Sequence, residues 1–215
     1  MAATTDGIHW LGHDSFRIDG SVTVYIDPWE LVEGLPPGDV ILVTHDHFDH
    51  LSLPDIDRLA APGAVVVGPA PVTSQVRGHE TVTLAPGGTA TVHGVRVSAV
   101  HAYNTSKFRA PGQVFHPRDD DHLGYVVELD GRRVYHAGDT DHIPEMAGVV
   151  CDVALLPVSG TYVMTADEAA GACGTISAEI VVPMHYAKIV GGEADAAKLG
   201  ELCGARVVLL PNENR

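Results

Sequence analysis

Apolar and polar positions alternate in short bursts through the first two-thirds of the chain. Residues 22–26, 40–43, 64–67, 81–84, 95–100, 125–129 and 133–136 are apolar or β-branched runs bounded by Gly, Pro or Asp, and they read as strands. Asp130-Gly131, between the last two, is the signal of a two-residue hairpin. Helical patterns are fewer. Ser52, Pro54 and Asp55 suit the start of a helix over 52–59. Thr165 and Glu168 are spaced to cap a helix reciprocally. Residues 193–203 are Ala-rich and read as helix, and 206–210 as a last strand. There are no repeats, linkers or low-complexity tracts, so one domain over 1–215 is expected. Two groups of strands with few helices suit two sheets packed face to face, with helices outside.

Polar residues of one kind recur where these runs end. Asp27 follows 22–26, His45 follows 40–43, His101 follows 95–100, Asp139 follows 133–136, and His185 follows the run 180–184. The densest case is Thr44-His45-Asp46-His47-Phe48-Asp49-His50, with three histidines and two aspartates in six consecutive positions, 45 to 50. Imidazoles and carboxylates delivered to one point by strand ends are how a rigid scaffold holds a divalent cation.

His45-x-His47-x-Asp49-His50 resembles the signature of the metallo-β-lactamase superfamily. The resemblance extends over nearly the whole chain and includes Asp27, His101, the Gly138-Asp139-Thr140 turn and His185. The stretches from Trp10 to Phe16 and from Tyr135 to Asp141 are similar to a small-hydrolase branch that includes ascorbate-6-phosphate lactonases. The resemblance implies an α/β (α+β) fold, a four-layer αββα sandwich. It implies two divalent metal ions per chain, with zinc the first choice and manganese or iron the alternatives. His45, His47 and His101 would hold one ion, Asp49, His50 and His185 the other, and Asp139 would bridge them. Asp49 would orient a shared hydroxide and take up its proton. Asp27 would hydrogen-bond a ligand histidine, His13 would lie near the site, and Thr140 and Asp141 would support Asp139. The implied reaction is hydrolysis of a small ester, lactone or phosphoester. The alternatives are a mononuclear iron oxygenase of the same fold and a non-catalytic, metal-binding regulatory protein; the full ligand set argues against both.

Residues 103–122 form a long irregular stretch that reads as a lid or binding loop. It carries Lys107, Arg109, His116, Arg118 and His122, which with Tyr162 are candidate substrate-binding residues for an anionic small molecule. Thirteen basic against 28 acidic residues gives a net charge of −15, which disfavours a nucleic-acid partner. No apolar run is long enough to span a bilayer, so no membrane partner is expected. The N-terminus lacks a basic segment followed by an apolar one, and a cytoplasmic location is expected. Three cysteines with no Cys-x-x-Cys pair read as buried free thiols. Self-association into a homo-oligomer is common in the resembling proteins.

Overall fold

In a computed structural model, residues 3–204 and 206–214 are described. The first sheet contains β1 (Ile8–Trp10), β2 (Phe16–Asp19), β3 (Thr23–Ile26), β4 (Gly38–Leu42), β5 (Ala60–Gly68) and β6 (Glu80–Thr83), in sequential order. The helices α1 (Leu53–Leu59) and α2 (Ala70–Thr73) lie between its later strands in sequence. The second sheet contains β7 (Thr89–Val92), β8 (Val95–His101), β11 (Leu123–Leu129), β12 (Arg132–His136), β13 (Val153–Pro157), β14 (Ile180–Met184) and β15 (Arg206–Val207), with β15 and β7 at its edges. The helices α3 (Ala166–Cys173) and α4 (Glu193–Leu202) flank it. A separate hairpin, β9 (Phe108–Ala110) with β10 (Gln113–Val114), stands within the loop 103–122, where no regular element was expected.

Phe16, Ile18, Val24, Val40 and Val65 of the first sheet pack with Val95, Val97, Leu123, Tyr125 and Val134 of the second in one buried cluster. Tyr25, Ile41 and Val66 face the other way and are covered by Ile56, Leu59 and Val72 of the first two helices. The layers are mixed α/β, with two sheets inside and helices outside, as the sequence predicts. The central parallel strands β13 and β14 are buried along their whole length, because a parallel strand covered on both faces has no polar side to offer.

Local signals in the sequence are obeyed. Ser52 accepts the Asp55 N–H at the start of α1, and Thr165 and Glu168 form the capping box of α3. Asp130 and Gly131 both take positive φ, 52° and 78°, as the mirror-type turn between β11 and β12 requires. The last strand is shorter than expected, although the Val208 N–H still bonds the Val181 carbonyl.

The cysteines correct the sequence reading. Cys151 is free and buried, but Cys173 and Cys203 form a disulfide. They are 30 residues apart, and only the packing of α3 against α4 brings their C-terminal ends together. Closing a loop of that length stabilises a fold by about 3–4 kcal/mol in the chain-entropy account. Unfolded without reductant, the protein should expose a single thiol to a colorimetric thiol reagent, and three after reduction. Three without reduction would contradict the pairing.

Candidate metal centre

Strands β3, β4, β12, β13 and β14 end at the same edge of the structure, and the residues just after each strand build the site. Asp27 comes after β3, Thr44 to His50 after β4, Asp139 after β12, Ser159 after β13 and His185 after β14. The carboxyl ends of parallel strands are where α/β folds place ligand sites. His13 and Asp14 join from the turn between β1 and β2, and His116 from the loop after β10.

The side chains form two groups that share Asp139. In the first, His45 Nε2 lies 3.1 Å from His47 Nδ1, which lies 3.3 Å from His116 Nε2. In the second, His50 Nε2 is 3.9 Å from Asp49 Oδ2 and 3.6 Å from Asp14 Oδ2, and His185 Nε2 is 3.9 Å from Asp14 Oδ2. Asp139 turns Oδ1 to His50 at 3.4 Å, and Oδ2 to His116 at 3.3 Å and His185 at 3.4 Å. Two ligands held about 2.1 Å from one tetrahedral ion stand about 3.4 Å apart. The Asp139 contacts and the His47 contacts therefore have the separations a shared cation sets.

Hydrogen bonding explains why these atoms converge. Thr44 donates its hydroxyl to Asp27 at 2.7 Å, so it can only accept from His45 Nδ1 at 3.0 Å. His50 Nδ1 donates to Asp27 at 2.8 Å, His116 Nδ1 donates to Asn104 Oδ1 at 2.9 Å, and His185 Nδ1 pairs with the Ser159 hydroxyl at 2.8 Å. Each of these four imidazoles uses Nδ1 on the protein and turns Nε2 inward, which fixes the direction of all four rings and, for His45, His50 and His116, the tautomer as well. Asp27 also accepts the Thr44 N–H at 2.7 Å. The inward atoms His50 Nε2, His185 Nε2, Asp139 Oδ1 and both Asp14 oxygens are buried without a hydrogen-bond partner. Burying such atoms unpaired is costly, and divalent cations bound among them would offset that cost. Asp27, His13 and His185 hold φ of 46°, 50° and 58°, a region non-glycine residues seldom adopt, so the backbone is strained to aim them.

The electrostatics reflect this crowding. Burial drives His45 well below its usual value and His116 down to about 4, leaving both neutral as ligands must be. Burial acts the same way on His50 and His185, but Asp139, with Asp27 beside His50 and Asp14 beside His185, outweighs it. His50 rises well above its usual value and His185 rises to about 9. Burial opposes ionisation of Asp139, yet His185 and His50 hold it well below the carboxylate range. Asp14, fully buried, is pushed well up. Burial raises Asp49 too, but the hydrogen bond to His13 at 3.2 Å and the nearby His50 bring it below its usual value.

The structure brings His45, His47, Asp49, His50, Asp139 and His185 together; His13 stands among them with Asp14, His50 and His185 in one group of candidate metal-holding side chains, and Asp27 lies behind His50. His101 does not join them. It ends β8, paired with Leu123 of β11, and lines a cavity on the outer face of the second sheet with Arg96, Ser98 and Glu128. His116, expected to bind substrate, takes the place among the histidines. Its loop is folded onto Asp141, whose Oδ2 accepts the N–H groups of Thr105 and Ser106 at 2.7 and 2.8 Å and whose Oδ1 accepts Asn104 Nδ2 at 3.1 Å. His122 stacks on His45 at 4.6 Å and lines a neighbouring cavity with Asp46 and Asp119.

Two of the cations expected to meet substrate are paired elsewhere. Lys107 bonds Glu168 at 2.7 Å, and Arg118 bonds Glu145 at 2.9 Å and covers Tyr103. Arg109 lies on β9, outside the cavity over the centre. That cavity, about 290 Å³, has His47, Asp49, His116 and Asp139 at its floor. Phe48, Phe115, Tyr162 and Ile189 form its walls.

The roles of Asp14, Asn104, Thr44 and Ser159 were not legible beforehand. Asp14 sits in the Gly12-His13-Asp14-Ser15 stretch, where an aspartate is ordinary turn chemistry. Asn104 carries no sequence signal, because its importance comes from the register of a loop.

The family model of the beta-lactamase superfamily domain matches residues 7–185. A Methanoculleus marisnigri protein named UPF0173 metal-dependent hydrolase is 38% identical over 183 residues, spanning 82% of this chain and 79% of its own. A Korarchaeum cryptofilum protein of the same name is 34% identical, spanning 96% and 97%. A solved Parabacteroides distasonis protein superposes with a TM-score of 0.81 at 31% identity, over 94% of this chain and 91% of that one. Igni18, a metallo hydrolase from Ignicoccus hospitalis, gives 0.77 at 25% identity, over 95% and 94%. The chain belongs to the metallo-β-lactamase superfamily.

Removing the Asn104 amide should free His116 to rotate. Asn104→Ala is expected to weaken metal binding by roughly 10- to 100-fold in a chelator competition, with unchanged far-ultraviolet dichroism. Unaltered affinity would show that Asn104 does not orient His116. In metal-free protein, His185 keeps until about pH 9 a proton that the unfolded chain releases near 6.5. The folded state thus binds more protons across that window, so metal-free stability should fall as pH rises through it. The lowered histidines His45 and His116 act only below the window. The same proton competes with a cation, so zinc affinity should climb over the same range. Urea unfolding and zinc titration at pH 6, 7.5 and 9 test both; flat profiles would refute the assignment.

Proposed function

We propose that the centre holds two divalent cations and that the chain is a hydrolase acting on a small ester or lactone. The observation that carries this reading is the Asp139 carboxylate, whose oxygens face His50 on one side and His116 and His185 on the other. A carboxylate so placed can serve both groups of ligands. His45, His47 and His116 would hold one cation, and Asp49, His50 and His185 the other. The partnerless Asp14 oxygens face the second group and are further oxygen donors toward it. The donor set of imidazole nitrogen and carboxylate oxygen suits zinc, and manganese or iron with it.

Bound divalent cations supply Lewis acidity and bring the acidity of water toward neutrality. The chain's own residues do the rest. Asp49, ionised at neutral pH and held by His13 at 3.2 Å, borders the cavity floor and can accept the proton of an attacking water. Water oxygen bonds to the acyl carbon, the bond from that carbon to the leaving oxygen breaks, and the proton passes through Asp49 to the leaving oxygen. No serine or cysteine nucleophile is required. The relatives' names as metal-dependent hydrolases agree with this reading. The second ligand group speaks against a mononuclear oxygenase, and the open floor speaks against a purely structural cation.

Metal analysis of protein purified without added metal should give about two ions per chain. His116→Ala should lose metal and at least a hundredfold of lactone or aryl-ester hydrolysis, whereas His101→Ala should retain both. The opposite pattern would return His101 to the centre. Metal-replete protein without turnover on any ester or lactone would favour the regulatory alternative.

A further inference from the structure

The walls of the cavity over the centre are mainly aromatic and aliphatic: Phe48, Phe115, Tyr162 and Ile189. Phe48 is 70% exposed, although it lies in the middle of the histidine motif, and its ring packs edge-on against Trp29 at 5.8 Å. Phe115 and Tyr162 meet edge-to-face at 4.8 Å across from it. Ile189, 39% exposed, completes the rim. Phe48 is bonded to His47 and Asp49, and Phe115 to His116; Ile189 lies four residues after His185. The backbone positions that carry these apolar side chains are therefore tied to those of the centre. Tyr162 is fixed as well, because its carbonyl accepts Asn104 Nδ2 at 2.8 Å.

Among the described residues, no cationic side chain lines this cavity. Beyond the paired Lys107 and Arg118, Lys188 bonds Glu30 at 3.0 Å and lies over Trp29 at 4.1 Å. The adjoining cavity is edged by Asp46, Asp119, Asp120 and Asp121. A charged substituent on the substrate would lose its water against these walls without gaining a counter-ion. Exposed aromatic and aliphatic surface beside a reactive centre instead rewards an apolar ligand.

We propose that the substrate is an uncharged ester or lactone carrying an alkyl or aryl arm, which lies between Phe48 and the pair Phe115–Tyr162 with its end against Ile189. This rests on the hydrolase reading above and replaces the anionic substrate expected from the loop's basic residues. The carbonyl sits at the floor, and the arm accounts for the selectivity.

Straight-chain alkyl hydroxamic acids, from acetyl to octanoyl, bring one constant metal-chelating head, neutral in solution and deprotonated on the metal, and a graded uncharged arm. Calorimetric titration into the metal-replete protein should show the dissociation constant falling about three- to fourfold per added methylene until the arm outgrows the cavity. Phe48→Ala and Ile189→Ala should each flatten that gradient with metal content unchanged. A succinyl probe of equal length, tipped with a carboxylate, should bind at least tenfold more weakly than its uncharged counterpart. A flat series, or tighter binding of the succinyl probe, on protein carrying two metals would overturn this proposal alone. Absence of both metal and hydroxamate binding would overturn the hydrolase reading beneath it.

Discussion

Everything at the strand ends depends on one constraint: a crowd of ionisable groups buried together must be neutralised from within. Asp27 shows how. Its carboxylate accepts the Thr44 amide, the Thr44 hydroxyl and the His50 ring at once, and Thr44 in turn accepts from His45. One buried acid thereby sets the direction of two imidazoles on the neighbouring strand's end. Its own backbone is held in the left-handed region to do so. A geometry so over-determined is what a binding centre needs if it is to be ready before its ligand arrives.

The second sheet answers the first in the same way. Asn104 aims His116, Ser159 meets His185, and Asp141 gathers the loop that delivers Asn104. The centre is thus assembled at the meeting of two sheets, with orienting groups contributed by each. Its walls come from the residues beside the ligands, so recognition and chemistry share the same short segments.

Much of this was legible in the sequence, for identifiable reasons. The layers arise from apolar runs and their punctuation, and Asp130-Gly131 and Thr165 with Glu168 act locally, so a local reading recovers them. His45 to His50 are readable because four of the converging side chains share one short segment. His101 misled because its position after an apolar run copies that of a ligand, while the pairing of β8 with β11 carries it away from the centre. His116 was hidden in a loop whose path is fixed by Asp141, a contact spanning 37 residues from Asn104 that no local pattern encodes. The disulfide escaped notice for the same reason, since helix packing rather than spacing unites its partners. Arg118 and Lys107 looked available only because Glu145 and Glu168 are distant in sequence.

The origin of the ligands has a consequence for how the molecule comes into being. The residues of the centre run from 13 to 185, so it is completed only when both sheets are present. During synthesis the early sheet can take shape with its histidines already bristling at one edge, while Asp139 and His185 are still to be made. Assembly of the site is therefore a late, long-range event with a high cost in loop closure. A cation captured by a half-finished chain would meet an incomplete set of donors, and full coordination would certify that both sheets had found each other.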